Sequence, residues 1–393
     1  MSLQLINLSP DLKKLQNEGY TVEIVSNYLV VRNIPYVNSK KEIHQGTLVS
    51  ELTLAGNKTA APKTHLVYFI GDHPCDKDGS ENKRIEHSRN KNTLDNNLVI
   101  DRSFSSKPKG GYKDYYEKMT TYATIISSPA QAIDPCYTPK SFLIIKSDKE
   151  DSVFNYADTA SSRAEINTIT RKLELEKVTI IGLGGTGSYV MDLIVKTPIK
   201  EIHLYDGDKF LQHNAFRAPG APSVEKLREQ PKKVDYFKDS YSEMHRNIIA
   251  HDYYIDASNV KELQEIDFVF LCLDWGESKK LIVKKLEELK IPFIDVGMGI
   301  YQVGDSLAGV LRVTSSTDYK SNYITNKGRI PFSNGNEENI YSRNIQIADL
   351  NSLNASLAVV KWKKHFGFYK DFENEHFSTY TIDGNALTNE DQL

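Results

Sequence analysis

"TIIGLGGTGSYVMDLI", residues 179–194, runs from an apolar strand through a glycine turn into a helix with an apolar face. Gly182, Gly184 and Gly187 fit the spacing G-x-G-x-x-G, and Gly185 is one glycine more than that pattern needs. Glycine lets the backbone turn sharply and come close to a phosphate. The helix that follows offers free N–H groups and the positive end of its dipole. A turn of this kind opens a nucleotide-binding α/β unit. On these residues alone, NAD and ATP are served equally well.

Working outward, strand-like and helix-like runs alternate from Tyr156 onward. "KVTIIGLG", "EIHLYDGD", "DFVFLCLD", "IPFIDVGMG" and "SLAGVLRVT" read as strands. "KKVDYFKDSYSEMHR", "ESKKLIVKKLEELK" and "ADLNSLNASLAVVKWKKHF" read as helices. In front of them "ADTASSRAEINTITRKLEL" reads as one helix, capped by Asp158, Thr159 or Ser161. The alternation predicts an α/β fold, a Rossmann-like, doubly wound and mostly parallel sheet.

Before the charged stretch around Lys149 the texture differs. Short β-like runs, "YTVEIVSNYLVVRNI", "THLVYFIGD", "NNLVIDRSF" and "SFLIIKSD", are separated by polar segments. They predict a smaller, strand-rich α+β domain. The expected division is an accessory domain at 1–150, a nucleotide-binding domain at 156–375 and a C-terminal tail at 376–393.

Bulk properties narrow the function classes. A chain of 393 residues suffices for two or three domains. The net charge of -3 gives no basic field of the kind a nucleic-acid binder uses. No apolar run reaches the roughly 18 residues of a membrane span, and the N-terminus lacks the pattern of a secretion signal. Cys75, Cys136 and Cys272 are odd in number and far apart. That predicts a reducing compartment, the cytoplasm, and neither disulfides nor a structural zinc site built on cysteine pairs.

Asp206 ends the second strand about 20 residues after the turn, where a carboxylate accepts ribose hydroxyls. "YDGDKFLQHNAFRAPG" adds Asp208, Asn214 and Arg217, and "QPKKVDYF" puts Lys233 at the start of a helix. "LCLDWGESK" puts Asp274 at the carboxyl end of a strand. A nicotinamide slot is apolar and nearly neutral. Arginine, lysine, asparagine and an acid suited to Mg²⁺ fit nucleotidyl transfer better, because cations stabilise charge developing on phosphate.

In order and spacing these motifs resemble the ThiF/MoeB superfamily of adenylating enzymes, which includes the ubiquitin-activating enzymes. The resemblance runs from about Arg163 to Phe366, with "DGDKFLQHNAFR" in place of the family's D-x-D-x-V-x-x-S-N-L-x-R. It implies that Gly182, Gly184, Gly185 and Gly187 shape the phosphate turn and that Asp206 holds the ribose. Asp208 either joins the nucleotide-binding set or caps its own turn. Asn214, Arg217 and Lys233 would grip the triphosphate of ATP, and Asp274 would coordinate Mg²⁺. Lys233 is preferred over Lys232 because it directly precedes Val234, as in the family. Arg163 would reach ATP across a homodimer interface. Lys279 stands where the family has an arginine, keeping the charge but losing the planar fork.

The implied reaction is adenylation of the C-terminal carboxylate of a ubiquitin-like or sulfur-carrier protein. A ubiquitin-conjugating-like enzyme is a further partner, and the N-terminal domain is open to being a domain of that kind. The basic "DRSFSSKPKGGYKDYY" is a candidate docking loop. Ubiquitin-activating enzymes pass the acyl group to a cysteine beyond the strand matching "SLAGVLRVT"; here "RVTSSTDYKSNYITNKGRIPFSNGNEEN" contains none. Three routes follow. The adenylate is handed to a partner's nucleophile; Ser315, Ser316 or Thr317 accepts it with help from a neighbouring base; or Cys75, in an exposed loop, accepts it. Cys272 reads as core packing. An NAD-dependent oxidoreductase, a non-catalytic scaffold of the same fold, and adenylation of a small acid or a tRNA base are the alternatives.

Overall fold

The computed structural model describes residues 2–95, 98–145, 147, 152–274, 276–321, 323–332 and 345–392. The chain divides into two compact units, Met1–Ile145 and Lys146–Leu393. The boundary expected around Lys149 falls outside the described residues.

The first unit is built on an antiparallel sheet. Thr21–Val25, Tyr28–Val37, Ile43–Glu51 and Leu66–Ile70 lie side by side, followed by Arg102–Ser105 and Glu86–Ser88. Alternation buries Leu29, Val31, Leu48, Val67 and Phe69 on one face. Against them packs a helix, Tyr115–Ile133, that the sequence reading did not foresee. Its Thr, Ile and Tyr content is that of a strand. Two signals give it away. Asp114 caps it, accepting from Glu117 N at 2.8 Å, and Tyr115, Met119, Tyr122 and Ile126 repeat at helical spacing. Thr120, Thr121 and Ser128 turn their hydroxyls back onto carbonyls one turn earlier. "SFLIIKSD" is not the expected strand: Phe142, Leu143 and Ile144 are exposed by 66%, 57% and 80%.

The second unit is an eight-stranded sheet. Its order is Ile248–His251, Glu201–Tyr205, Lys177–Ile181, Phe268–Leu271, Phe293–Val303, Ser306–Ser316, Phe377–Thr381 and Ala386–Glu390. The first five strands are parallel and the last three join antiparallel. Residues 376–393, read as a tail, thus supply the two closing strands. The segment "FSTYT" is rich in strand-favouring Phe, Thr and Tyr, a signal the sequence reading passed over, and it pairs with Val310–Thr314.

Both faces of this sheet are covered, as strands buried on both sides require. Helices Gly185–Ile194, Lys233–Ser242 and Ala348–His365 pack against Val178, Ile180, Phe268 and Phe270. Helix Glu277–Leu289 packs against Ile181, Val269, Leu271 and Phe293. The single helix expected over 157–175 breaks into short turns, Thr159–Arg163, Asn167–Thr170 and Arg171–Leu173. Glu165, at φ +59, ends the first of them. Asp158 does act as its cap, accepting from Ser161 N at 2.9 Å. The strand order reverses between Lys177–Ile181 and Phe268–Leu271, and in such sheets the crevice at that switch point is where ligands bind.

Candidate active site

At the carboxyl ends of these strands lies a cavity of about 510 Å³. The glycine turn forms one wall, and each glycine has its own reason. Gly182 sits at φ +91, in the left-handed region, and a Cβ there would lie 2.6 Å from Cys272 O. A Cβ on Gly187 would lie 1.9 Å from Gly182 O, so the helix meets the strand backbone only with glycine. Gly185, the extra glycine, makes room for the Asn351 carboxamide, which a Cβ would meet at 2.1 Å. Gly184 alone borders open space, with no atom within 4 Å of a Cβ. It stands at the N-cap of Gly185–Ile194, where no side chain caps the free N–H groups. An uncapped helix start facing a cavity suits an anion.

Asp206 lies behind this turn, 6% exposed. Its Oδ2 accepts from Leu183 N at 2.7 Å and its Oδ1 from Asp208 N at 2.8 Å, so it ties the turn to the second strand. Asp208 lines the cavity. Its carboxylate accepts from Lys233 Nζ at 2.7 Å and from the Tyr254 hydroxyl. Burial pushes the Asp208 carboxyl up, but the hydrogen bonds from Lys233 and Tyr254 outweigh it and hold the group below its ordinary range. Tyr254 was not singled out from the sequence; its ring rests where a Cβ on Gly207 would be, 2.8 Å away.

Lys233 also reaches Asp206 at 3.3 Å and is 6% exposed. Its neighbour Lys232 turns away and donates to Gly207 O at 2.6 Å. Arg217 lines the cavity as well, and its Nε is buried without a hydrogen-bond partner among the described residues. Asp274 opens onto the same cavity from the end of its strand. Asn214, 5% exposed, turns its Oδ1 to Leu211 N at 2.9 Å and is not on the cavity wall. Arg163 is exposed at the end of a short helix, also away from that wall.

The floor holds Lys279, noted from the sequence, with two charges that sequence reasoning passed over, Asp295 and Arg312. Lys279, 3% exposed, pairs with Asp295 at 2.6 Å and donates to Leu273 O at 3.1 Å. Burial pushes the Lys279 ammonium down, while Asp295 opposes the shift. Arg312 holds the other Asp295 oxygen at 2.6 Å, and its guanidinium lies where Gly297 has no Cβ. The carboxylate, 0% exposed, sits between two cations, the arrangement that lets a buried charge persist. "IPFIDVGMG" carried the only available signal, an aspartate inside an apolar strand.

The candidate acyl acceptors are all buried. Cys75 is 1% exposed rather than in an open loop, and it donates to His73 O at 3.3 Å. Burial pushes its thiol up, away from the thiolate a nucleophile needs. Cys272 packs half-buried against the core and borders the cavity, its thiol pushed still further up by burial and by Asp295. Ser315, Ser316 and Thr317 are 6%, 3% and 4% exposed. They pair with the opposite end of the neighbouring strand: Phe293 faces Ser316, whereas the cavity wall is Gly297 to Gly299. Thr317 does meet a base, His376 Nε2 at 3.4 Å, but in a separate, smaller cavity. Part of the serine-rich stretch, residues 333–344, lies outside the described residues. Iodoacetamide applied to the native protein should modify the exposed Cys136 and leave Cys75 and Cys272 until denaturant is added. Peptide mass analysis reads this out, and fast native labelling of Cys75 would return it to candidacy.

Among the described residues no helix is long and apolar enough to cross a membrane. No group of three or more His, Cys, Asp or Glu among them could hold a metal ion. A model of the ThiF family matches residues 151–308, and a domain of unknown function, DUF6791, matches residues 10–159. Comparison with curated proteins returns no match. Among solved structures, Escherichia coli MccB with succinimide is 18% identical, with a TM-score of 0.46, over 60% of this chain and 72% of its own. The same protein with ATP is 19% identical, with a TM-score of 0.44, over 60% and 72%. A structure of PaaA is 18% identical, with a TM-score of 0.43, over 57% and 75%. Residues 151–308 are a ThiF-family domain.

Proposed function

We propose that this ThiF-family domain uses ATP to adenylate the C-terminal carboxylate of a small protein or peptide, of the ubiquitin-like or sulfur-carrier kind. One observation carries the reading: a single cavity gathers the uncapped helix start at Gly184, Arg217 with an Nε that has no partner among the described residues, Lys233 and Asp274. A dinucleotide would need the first of these; the two cations beside it suit a triphosphate.

In this reading the helix start and Arg217 receive phosphate oxygens and Asp208 faces the ribose, while Asp206, expected from the sequence to hold the ribose, is off the cavity wall and braces the turn instead. Lys233 leaves Asp208 for the phosphates. Asp274 is the residue that would hold Mg²⁺, a cation that takes one or two carboxylates besides phosphates and would supply positive charge against the charge developing there. A substrate carboxylate oxygen attacks the α-phosphorus, the bond to the bridging oxygen of the β-phosphate breaks, and pyrophosphate leaves with that electron pair. The product is an acyl-adenylate. With Cys75 and residues 315–317 buried, the adenylate passes to a nucleophile on a partner, such as a ubiquitin-conjugating-like enzyme. A cytoplasmic homodimer, with Arg163 reaching a second copy's site, completes the proposal.

Thermal unfolding with Mg²⁺-ATP, NAD⁺ or NADH tests it, because a ligand of the folded state raises the midpoint. Mg²⁺-ATP should stabilise the wild type and lose its effect in Asp274→Ala. Stabilisation by NAD⁺ alone would sink the reading, and silence towards all three would favour a scaffold.

A further inference from the structure

Tyr254 is an exposed ring tied to a carboxylate of the cavity. Strands Glu201–Tyr205 and Ile248–His251 lie parallel and adjacent, so the loops that follow them leave the sheet side by side at the same end. Gly207 and Asp208 belong to the first loop and Tyr254 to the second. Asn259 fixes the second loop: its Nδ2 donates to Tyr254 O at 2.9 Å, and its Oδ1 accepts from Asp256 N at 2.8 Å.

The ring has one covered face and one open face. A Cβ on Gly207 would lie 3.0, 2.8 and 2.9 Å from the consecutive ring carbons Cδ2, Cε2 and Cζ. Three nearly equal distances put Gly207 over the flat of the ring, since an approach to the edge would bring one carbon close and leave its neighbours well behind. With that face against the backbone, the residue is still 57% exposed, so the other face is open to solvent. The aromatic side chains nearby, Tyr205, His251 and Tyr253, pack on one another instead.

The hydroxyl donates to Asp208 Oδ1, and that bond pushes the phenol up to about 12, so it stays a donor at neutral pH. Lys233 holds the other oxygen, Oδ2, and leaves it for the phosphates in the reading above. The ribose then gains Oδ2 while Tyr254 keeps Oδ1. A base stands one glycosidic bond from its ribose, and this ring stands one hydrogen bond from the carboxylate that faces that ribose.

We infer that Tyr254 is the nucleobase platform of the site, its open face stacking on the base of the bound nucleotide. Stacking needs only two flat π faces, so it works whatever the edge of the base carries. Glycine at 207 lets the ring lie flat against the backbone, where any side chain would lift it away. This rests on the ATP reading and adds to it the contact that tells a nucleotide from its sugar triphosphate.

Titration calorimetry in Mg²⁺ compares ATP with ribose 5-triphosphate, which lacks only the base. The wild type should bind ATP the more tightly. In Tyr254→Ala, an exposed position whose truncation leaves the core intact, the advantage of ATP should shrink by about tenfold, the worth of one stacked base. Tyr254→Phe keeps the ring and should recover that advantage. An advantage undiminished in Tyr254→Ala, or absent from the wild type, overturns the inference and leaves the adenylation reading intact. So does an equal loss in Tyr254→Phe, because the hydroxyl on Asp208 and not the ring would then be the group that acts. If neither compound binds the wild type, the adenylation reading falls and this inference with it.

Discussion

Lys233→Ala should weaken Mg²⁺-ATP binding by about a hundredfold, the cost of truncating a buried cation that meets a charged partner. The same change should destabilise the nucleotide-free protein by about 3 kcal/mol, because Asp206 would stay buried with its cation gone. The two losses have different causes and can be separated. Both Asp206 oxygens accept backbone N–H groups, so the carboxylate must stay and a cation kept beside it should restore stability. In Lys233→Arg, urea unfolding should return towards the wild type while ATP titration stays weak, because a planar guanidinium does not reproduce a point charge. Wild-type ATP affinity in Lys233→Ala would remove this lysine from the site. Wild-type affinity in Lys233→Arg would mean that the site needs only a positive charge there.

A second pair of variants should give opposite results at positions three residues apart. Gly187→Ala should destabilise the second unit by about 4 kcal/mol or more, since the new methyl would overlap Gly182 O and neither backbone can yield. Gly184→Ala should fold with stability within about 0.5 kcal/mol of the wild type, as its methyl meets nothing. That methyl points into the cavity, so the stabilisation by Mg²⁺-ATP should be lost. Denaturant midpoints and nucleotide-dependent thermal shifts distinguish the two. Gly184→Ala that still responds fully to ATP would show that the triphosphate does not approach the turn there.

Much of the second unit could be read from the chain in order. The strands around Ile180, Leu204, Phe270 and Ile294 are apolar on both faces, and buried parallel strands must be so. The first unit was less legible. Its long helix is composed of residues that favour strands, and the stripe at 115, 119, 122 and 126 has force only once a sheet lies opposite it. The apolar run at 142–144 shows the converse. Composition calls it a strand, yet among the described residues no strand pairs with it and it stays exposed.

The sequence by itself determined the glycine turn, the strand that feeds it and the helix that leaves it. It also determined the supply of acids and cations that follow within a few dozen residues. These are local matters: backbone angle, spacing and polarity depend on near neighbours. Only the tertiary structure decided what each residue faces. It turned Asn214 away from the cavity and Lys233 into it, and it buried Cys75. It also explained the surplus Gly185 by a carboxamide at Asn351, whose bond to Thr186 spans 165 positions of the chain. A side chain's partner is chosen by packing between segments distant in sequence, and no local pattern carries that information.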